Sequence, residues 1–178
     1  MKKQILLPIT TIVLAAAVLL GTSFALNGVA AHRAQSEHVR IMRTILPGST
    51  DFVVEPYSGD DVNIRSVHKA DNGFVIETVT RGYAADIRMM IGVSTQGTVT
   101  GLVVLDMAET LGLGAQALTD HVFLAQLLNT SGEALVGTNV DAITGATVTS
   151  KAIVRSVNSA VGFVTGADAD SGATSWGG

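Results

Sequence analysis

Between Lys3 and His32 the chain carries no charged residue, and no other feature restricts its possible folds as much. The run from Ile5 to about Ala31 is apolar, broken only by Pro8, a few Thr and Ser, Gly and Asn27. At ~1.5 Å per residue, a helix of that length crosses a hydrocarbon core of ~30 Å. The apolar part of a removable signal usually covers only roughly 7–15 residues, and a buried core helix is seldom this long. Ser23-Phe24-Ala25 and Val29-Ala30-Ala31 offer cleavage sites, but the length favours an uncleaved anchor. Lys2 and Lys3 precede the run. By the positive-inside tendency that leaves the N-terminus in the cytoplasm and everything after Ala31 outside. The expected organisation is an N-terminal transmembrane helix over 1–31, one extracytoplasmic domain over 32–164, and a tail over 165–178. The tail is Gly, Ala, Asp and Ser with one Trp, and reads as disordered.

The rest of the composition mainly excludes. Of 178 residues, 47% are hydrophobic and the mean hydropathy is +0.43, much of it from the first run. A net charge of −4 with 15% charged residues gives no electrostatic basis for a nucleic-acid partner. The absence of Cys removes disulfides, cysteine-ligated zinc, iron–sulfur clusters and a lipid-modified N-terminal cysteine. His32, His38, His68 and His121 show no ligand spacing, so no metal site is expected. Aromatics are only 4%, so any ring-binding pocket must be built from aliphatic side chains and backbone.

Along the domain, His32 to Leu46 reads as a helix stopped at Pro47-Gly48, with Arg33, Glu37, Arg40 and Arg43 solvated beside Val39, Met42 and Leu46. Short strands are expected over 51–55 and 61–70. Asn72-Gly73 is a type I′ hairpin signal leading into Phe74–Thr80, because both central residues of that turn need positive φ. Gly82-Tyr83 turns the chain into Asp86–Ser94, and Thr95-Gln96-Gly97 turns it again into Val99–Met107. Alternating apolar positions with short turns predict an antiparallel meander, with Met89, Met90 and Met107 in the core. A Gly-punctuated loop follows from Glu109. Thr119 or Asp120 then caps a helix to about Leu128, and Ala134–Thr138 reads as a short strand. From Ser150 to Val164, apolar Ile153, Val154, Val157, Ala160, Val161 and Val164 recur at helical spacing and form a stripe facing a core. The fold class is α+β, an antiparallel sheet with a few helices packed on one side or at the ends.

The stretch with the most chemistry is Asp141-Ala-Ile-Thr144-Gly145-Ala146-Thr147-Val-Thr149-Ser150. It has four hydroxyls, small residues and an Asp, directly before that helix. Unpaired N–H groups and the positive helix end make such a place receptive to phosphate. Ser and Thr are also common as plain helix caps.

Asp-x-x-Thr144-Gly145-Ala146-Thr147 before a helix resembles the element at which FMN is covalently attached in the FMN-binding domains of bacterial respiratory complexes. Glu109-Thr110-Leu-Gly112-Leu-Gly114 resembles a second element of those domains, with Leu111 in place of the usual Pro. The family includes the G subunit of Rnf-type electron-transport complexes and the related C subunit of sodium-translocating NADH:quinone reductase. The resemblance covers most of 80–164. It implies FMN joined by a phosphoester to Thr147, installed by a flavin transferase that uses FAD and recognises Asp141. It further implies that Thr144, Gly145, Ala146, Thr149, Ser150 and Lys151 surround the phosphate, and that Glu109, Thr110, Gly112 and Gly114 line the isoalloxazine. The partners implied are the other membrane subunits of an Rnf-type complex, in which the chain is an electron carrier without activity of its own.

Other readings stand beside this one. Gly112-Leu-Gly114-Ala-Gln-Ala117 matches a dinucleotide-binding pattern, but the strand before it belongs to a meander and not to a βαβ unit. In the tail, Asp168-Ala-Asp-Ser171-Gly172-Ala173-Thr174 fits the same attachment pattern. No apolar residue precedes its Ser and no helix follows, so Thr147 is preferred to Thr174. The quinone-reductase C subunit, or a membrane-anchored scaffold without covalent cofactor, is the alternative function.

Overall fold

The computed structural model describes residues 36–107, 120–131 and 134–167. Residues 1–35, 108–119, 132–133 and 168–178 lie outside them, and with them the expected membrane anchor, the Glu109–Gly114 element and the expected disordered tail. The chain divides into two compact units, 1–40 and 41–178. In the first, residues 36–40 are helical, and an exposed Arg40–Glu37 pair at 2.6 Å holds the Glu37 carboxyl below its usual range. That helix, α1, runs over 36–45, and its second half belongs to the other unit.

The second unit is built on five strands: β1 (Val53–Glu55), β2 (Ile64–Lys69), β3 (Gly73–Arg81), β4 (Asp86–Ser94) and β5 (Val99–Met107). They pair antiparallel in the order β1-β2-β3-β4-β5, the meander read from the alternation. Along β4, Ile87, Met89, Ile91 and Val93 are fully buried and point to one face, as a period of two requires. Over that face lies α3 (Thr147–Thr165), whose Ile153, Val154, Val157, Ala160 and Val161 are buried while Val164 packs at the margin. Each fully buried aliphatic side chain stabilises the packing by about 1.5–3 kcal/mol. A polar contact sets the height of the helix: Thr80 Oγ1 donates to Ala152 O at 3.0 Å and lies 2.8 Å from Ser156 Oγ. A short helix α2 (His121–Ala125) adds Phe123 to the same core, and Asp120 caps it by accepting from the N–H groups of Val122 and Phe123.

The opposite face of the sheet is covered by the end of α1 and the turn after it. Met42, Ile45 and Leu46 are buried there. Gly92 and Gly101 are register partners, and a Cβ on Gly92 would stand 2.4 Å from Ile45 O, one on Gly101 2.7 Å from Ile45 Cα. The bare strip lets the α1 backbone touch the sheet, and Thr100 Oγ1 donates to Ile45 O at 2.6 Å. The unit is α+β as the sequence predicts, but its helices cover both sheet faces and not one side or the ends, because the Gly92–Gly101 strip admits the end of α1.

Three local expectations are corrected. The hairpin tip is Asp71-Asn72, because Ala70 N donates to Gly73 O and no positive φ occurs at Asn72 or Gly73. Gly73 is required instead by crowding, since a Cβ there would meet Val93 O at 2.3 Å. The exposed Asn72 side chain reaches the turn after α1, donating to Pro47 O and accepting from Ser49 Oγ. Residues 134–138 are not a strand. Apart from one Val136–Val140 bridge, their backbone is held by turns and by side-chain amides. Finally, the last helix starts at Thr147 and not at Ser150.

Candidate functional site

The run from Ala134 to Ala146 contains no helix or strand, so its polar backbone groups must find other partners. Side chains supply them. Asn158, buried in α3, accepts from Ala134 N and donates to Ala134 O, both at 2.9 Å. Asn139 Oδ1 accepts from Leu135 N, and Gly137 turns the chain at φ 84°. Gln126, just past α2, accepts from Asp141 N at 2.9 Å and donates to Asp141 O at 3.4 Å. Ser150 Oγ accepts from Ile143 N at 3.2 Å. A last turn, with Gly145 at φ 81° and Ala146 N donating to Ile143 O, delivers the chain to α3.

At that point the helix starts without a side-chain cap. The N-cap is Ala146, which has no hydroxyl and is buried. The hydroxyl residues divide by position. Thr144 and Thr147 are exposed, whereas Thr149 and Ser150 are buried and face the core. Lys151 stands one turn beyond Thr147, half-buried. Asp141 is exposed, with its peptide N–H and C=O bound to Gln126. The structure thus brings Asp141, Thr144, Gly145, Ala146, Thr147, Thr149, Ser150 and Lys151 together at one helix start. Glu109, Thr110, Gly112 and Gly114 lie outside the described residues, as does Thr174. A 19-residue helix whose N-cap makes no side-chain hydrogen bond, opening on an exposed threonine, suits a phosphate group. Among the described residues no cluster of His, Asp and Glu could hold a metal ion, and no helix is long and apolar enough to cross a membrane.

The sequence reading missed Gln126, Asn139 and Asn158. Gln126 and Asn158 act on backbone outside their own segments and Asn139 on its own loop, so no periodicity marks them; a buried amide on the apolar stripe of α3 was the one available signal, for Asn158.

Strands β4 and β5, α2, the loop before α3 and most of α3 lie in the region that the FMN-binding domain family model matches, residues 82–162. By sequence that stretch is an FMN-binding domain. The G subunit of an ion-translocating oxidoreductase complex from Methanosarcina acetivorans is 34% identical over 139 residues, covering 69% of this chain and 72% of that protein. The G subunit of a sodium-translocating ferredoxin:NAD(+) oxidoreductase complex from Acetobacterium woodii is 35% identical over 98 residues, 50% of this chain and 47% of the relative. Its counterpart in a proton-translocating complex of Clostridium ljungdahlii is 34% identical over 99 residues, 52% and 53% respectively. The match spans about half the length of these last two relatives. The chain belongs to the family of G subunits of ion-translocating oxidoreductase complexes.

Proposed function

We propose that this chain is the flavin-carrying electron-transfer subunit of a membrane-bound, Rnf-type ferredoxin:NAD oxidoreductase, with FMN held covalently through a phosphoester to Thr147. The observation that carries the reading is the exposed Thr147 at the uncapped start of α3. A phosphodiester keeps one negative charge, which an exposed helix start stabilises by only about 0.3–1 kcal/mol. That is too weak to retain a ligand, and a covalent bond removes the dissociation problem. Thr144 and Lys151 flank the phosphate, and Gly145 and Ala146 leave room for it. Thr149 is buried beneath the helix start. Ser150 acts through the loop shape, since its buried hydroxyl is already bonded to Ile143 N. Asp141 is the mark for the flavin transferase, which draws on FAD. Glu109, Thr110, Gly112 and Gly114 border the ring.

When bound, the flavin accepts and passes on electrons; the chain supplies position and local electrostatics. The apolar run before residue 32 holds the domain on the outer face of the cell membrane, beside the other membrane subunits of the complex. Names of the relatives support this assembly, two of them specifying ferredoxin and NAD. The chain is purified from its native membrane, denatured and tested for in-gel flavin fluorescence. Fluorescence is expected to vanish in Thr147→Val and to persist in Thr174→Val, with the flavin mass on the peptide holding Thr147. Fluorescence that survives Thr147→Val overturns the site; a colourless native protein with unmodified Thr147 favours a scaffold without cofactor.

A further inference from the structure

Gln126 reaches fifteen residues along the chain to bind the N–H of Asp141 at 2.9 Å and, at the limit of hydrogen-bond length, its C=O at 3.4 Å. We infer that Gln126 is a positioning residue for flavin loading. Its amide presents Asp141 and Thr147 to the transferase in one fixed arrangement. The inference rests on Thr147 as the attachment site. In the loading step the Thr147 hydroxyl oxygen bonds to the FMN phosphorus of FAD. The pyrophosphate P–O bond breaks, AMP leaves, and the hydroxyl proton passes to solvent.

The enzyme must recognise Asp141 and act on Thr147, so the two ends of the loop have to be held at a set separation. The Thr147 end is anchored by α3 itself. Between the two, Ser150 holds Ile143 and the Gly145 turn is closed by Ala146 N on Ile143 O. Asp141 lies in no helix or strand, and Gln126 takes both of its backbone polar groups. What remains of Asp141 is an exposed carboxylate on a held backbone. Gln126 is only half-buried, and its neighbours Phe123 in α2 and Leu127 in the turn after it are fastened in the core, 2% and 0% exposed. Removing the amide therefore loosens the loop without taking a core contact away. A loop that spends less time in the competent shape raises the apparent dissociation constant by the reciprocal of that fraction and leaves the chemical step alone.

The test uses purified flavin-free chain, FAD and flavin transferase. In Gln126→Ala, KM for the chain is expected to rise roughly tenfold, with kcat within about twofold of the parent. The Asp141 amide, read by NMR, is expected to exchange with solvent about tenfold faster. Val75→Ala, a cavity on the far face of the sheet, is the control: it should lower the melting temperature and leave KM unchanged. An unchanged KM in Gln126→Ala overturns the inference, and so does an equal rise in Val75→Ala. Failure of the underlying site shows differently, as a parent chain that takes no flavin or a Thr147→Val chain that still does.

Discussion

At the scale of single residues, the site depends on amide side chains as much as on hydroxyls. Asn158 is 3% exposed and satisfies both polar groups of Ala134, a residue that is itself buried. Truncating the amide leaves a buried N–H and a buried C=O unpaired, each costing about 1–3 kcal/mol. Asn158→Ala is therefore expected to destabilise the domain by about 2–4 kcal/mol in urea unfolding. A loss below about 0.5 kcal/mol, the level of an ordinary surface change, would show that water replaces the amide. The hydroxyls separate in the same way. Thr147 and Ser150 are three apart in the sequence, yet one is exposed and the other is 0% exposed and bonded to Ile143. Their letters are similar; their places on the helix are not.

At the scale of elements, glycine sets how closely the helix end approaches the sheet. Gly92 sits in β4 beneath Ile45, and a methyl group there meets backbone oxygen at 2.4 Å and Thr100 Oγ1 at 2.7 Å. Backbone cannot rotate away as a side chain can, so α1 must lift. Gly92→Ala is expected to cost about 1–3 kcal/mol, the usual cost of overpacking, together with loss of the Thr100–Ile45 bond. Gly137→Ala is the comparison. It has φ 84° and open space around its Cβ, so its cost is conformational alone, about 1–2 kcal/mol. Thermal melts should rank Gly92→Ala as the more damaging, and a reversed order would mean that α1 is loosely seated. Much of this scale was legible beforehand. The order of the strands, a cap at Thr119 or Asp120 and the stripe on α3 follow from local spacing; the structure chooses Asp120. The glycine strip was not legible, because Gly92 and Gly101 matter only when paired side by side.

At the scale of the molecule, the unit from 41 to 178 contains the whole meander, α2, α3 and both faces of the sheet. A chain starting at Ser36 should therefore fold without the apolar run. It is expected in the soluble fraction with a cooperative melt, whereas the full chain sediments with membranes and resists extraction by high salt. A full chain recovered in the soluble fraction would remove the anchor proposal. A truncated chain without a cooperative melt would show that the domain needs the run to fold.

Taken alone, the sequence determined the antiparallel meander, the helix packed on it and the motif at its start. The reason is that burial repeats with the period of the element itself, two in a strand and about 3.6 in a helix. Only the tertiary structure decided where α3 begins, why Gly73 is glycine, and why residues 134–138 are not a strand. The start of α3 follows the Gly145 turn, closed by Ala146 N on Ile143 O; in the other two cases a partner distant in the chain settled the matter, Val93 O against Gly73 and Asn158 against Ala134. Such a contact has no period, so the segments it joins carry no local trace of it.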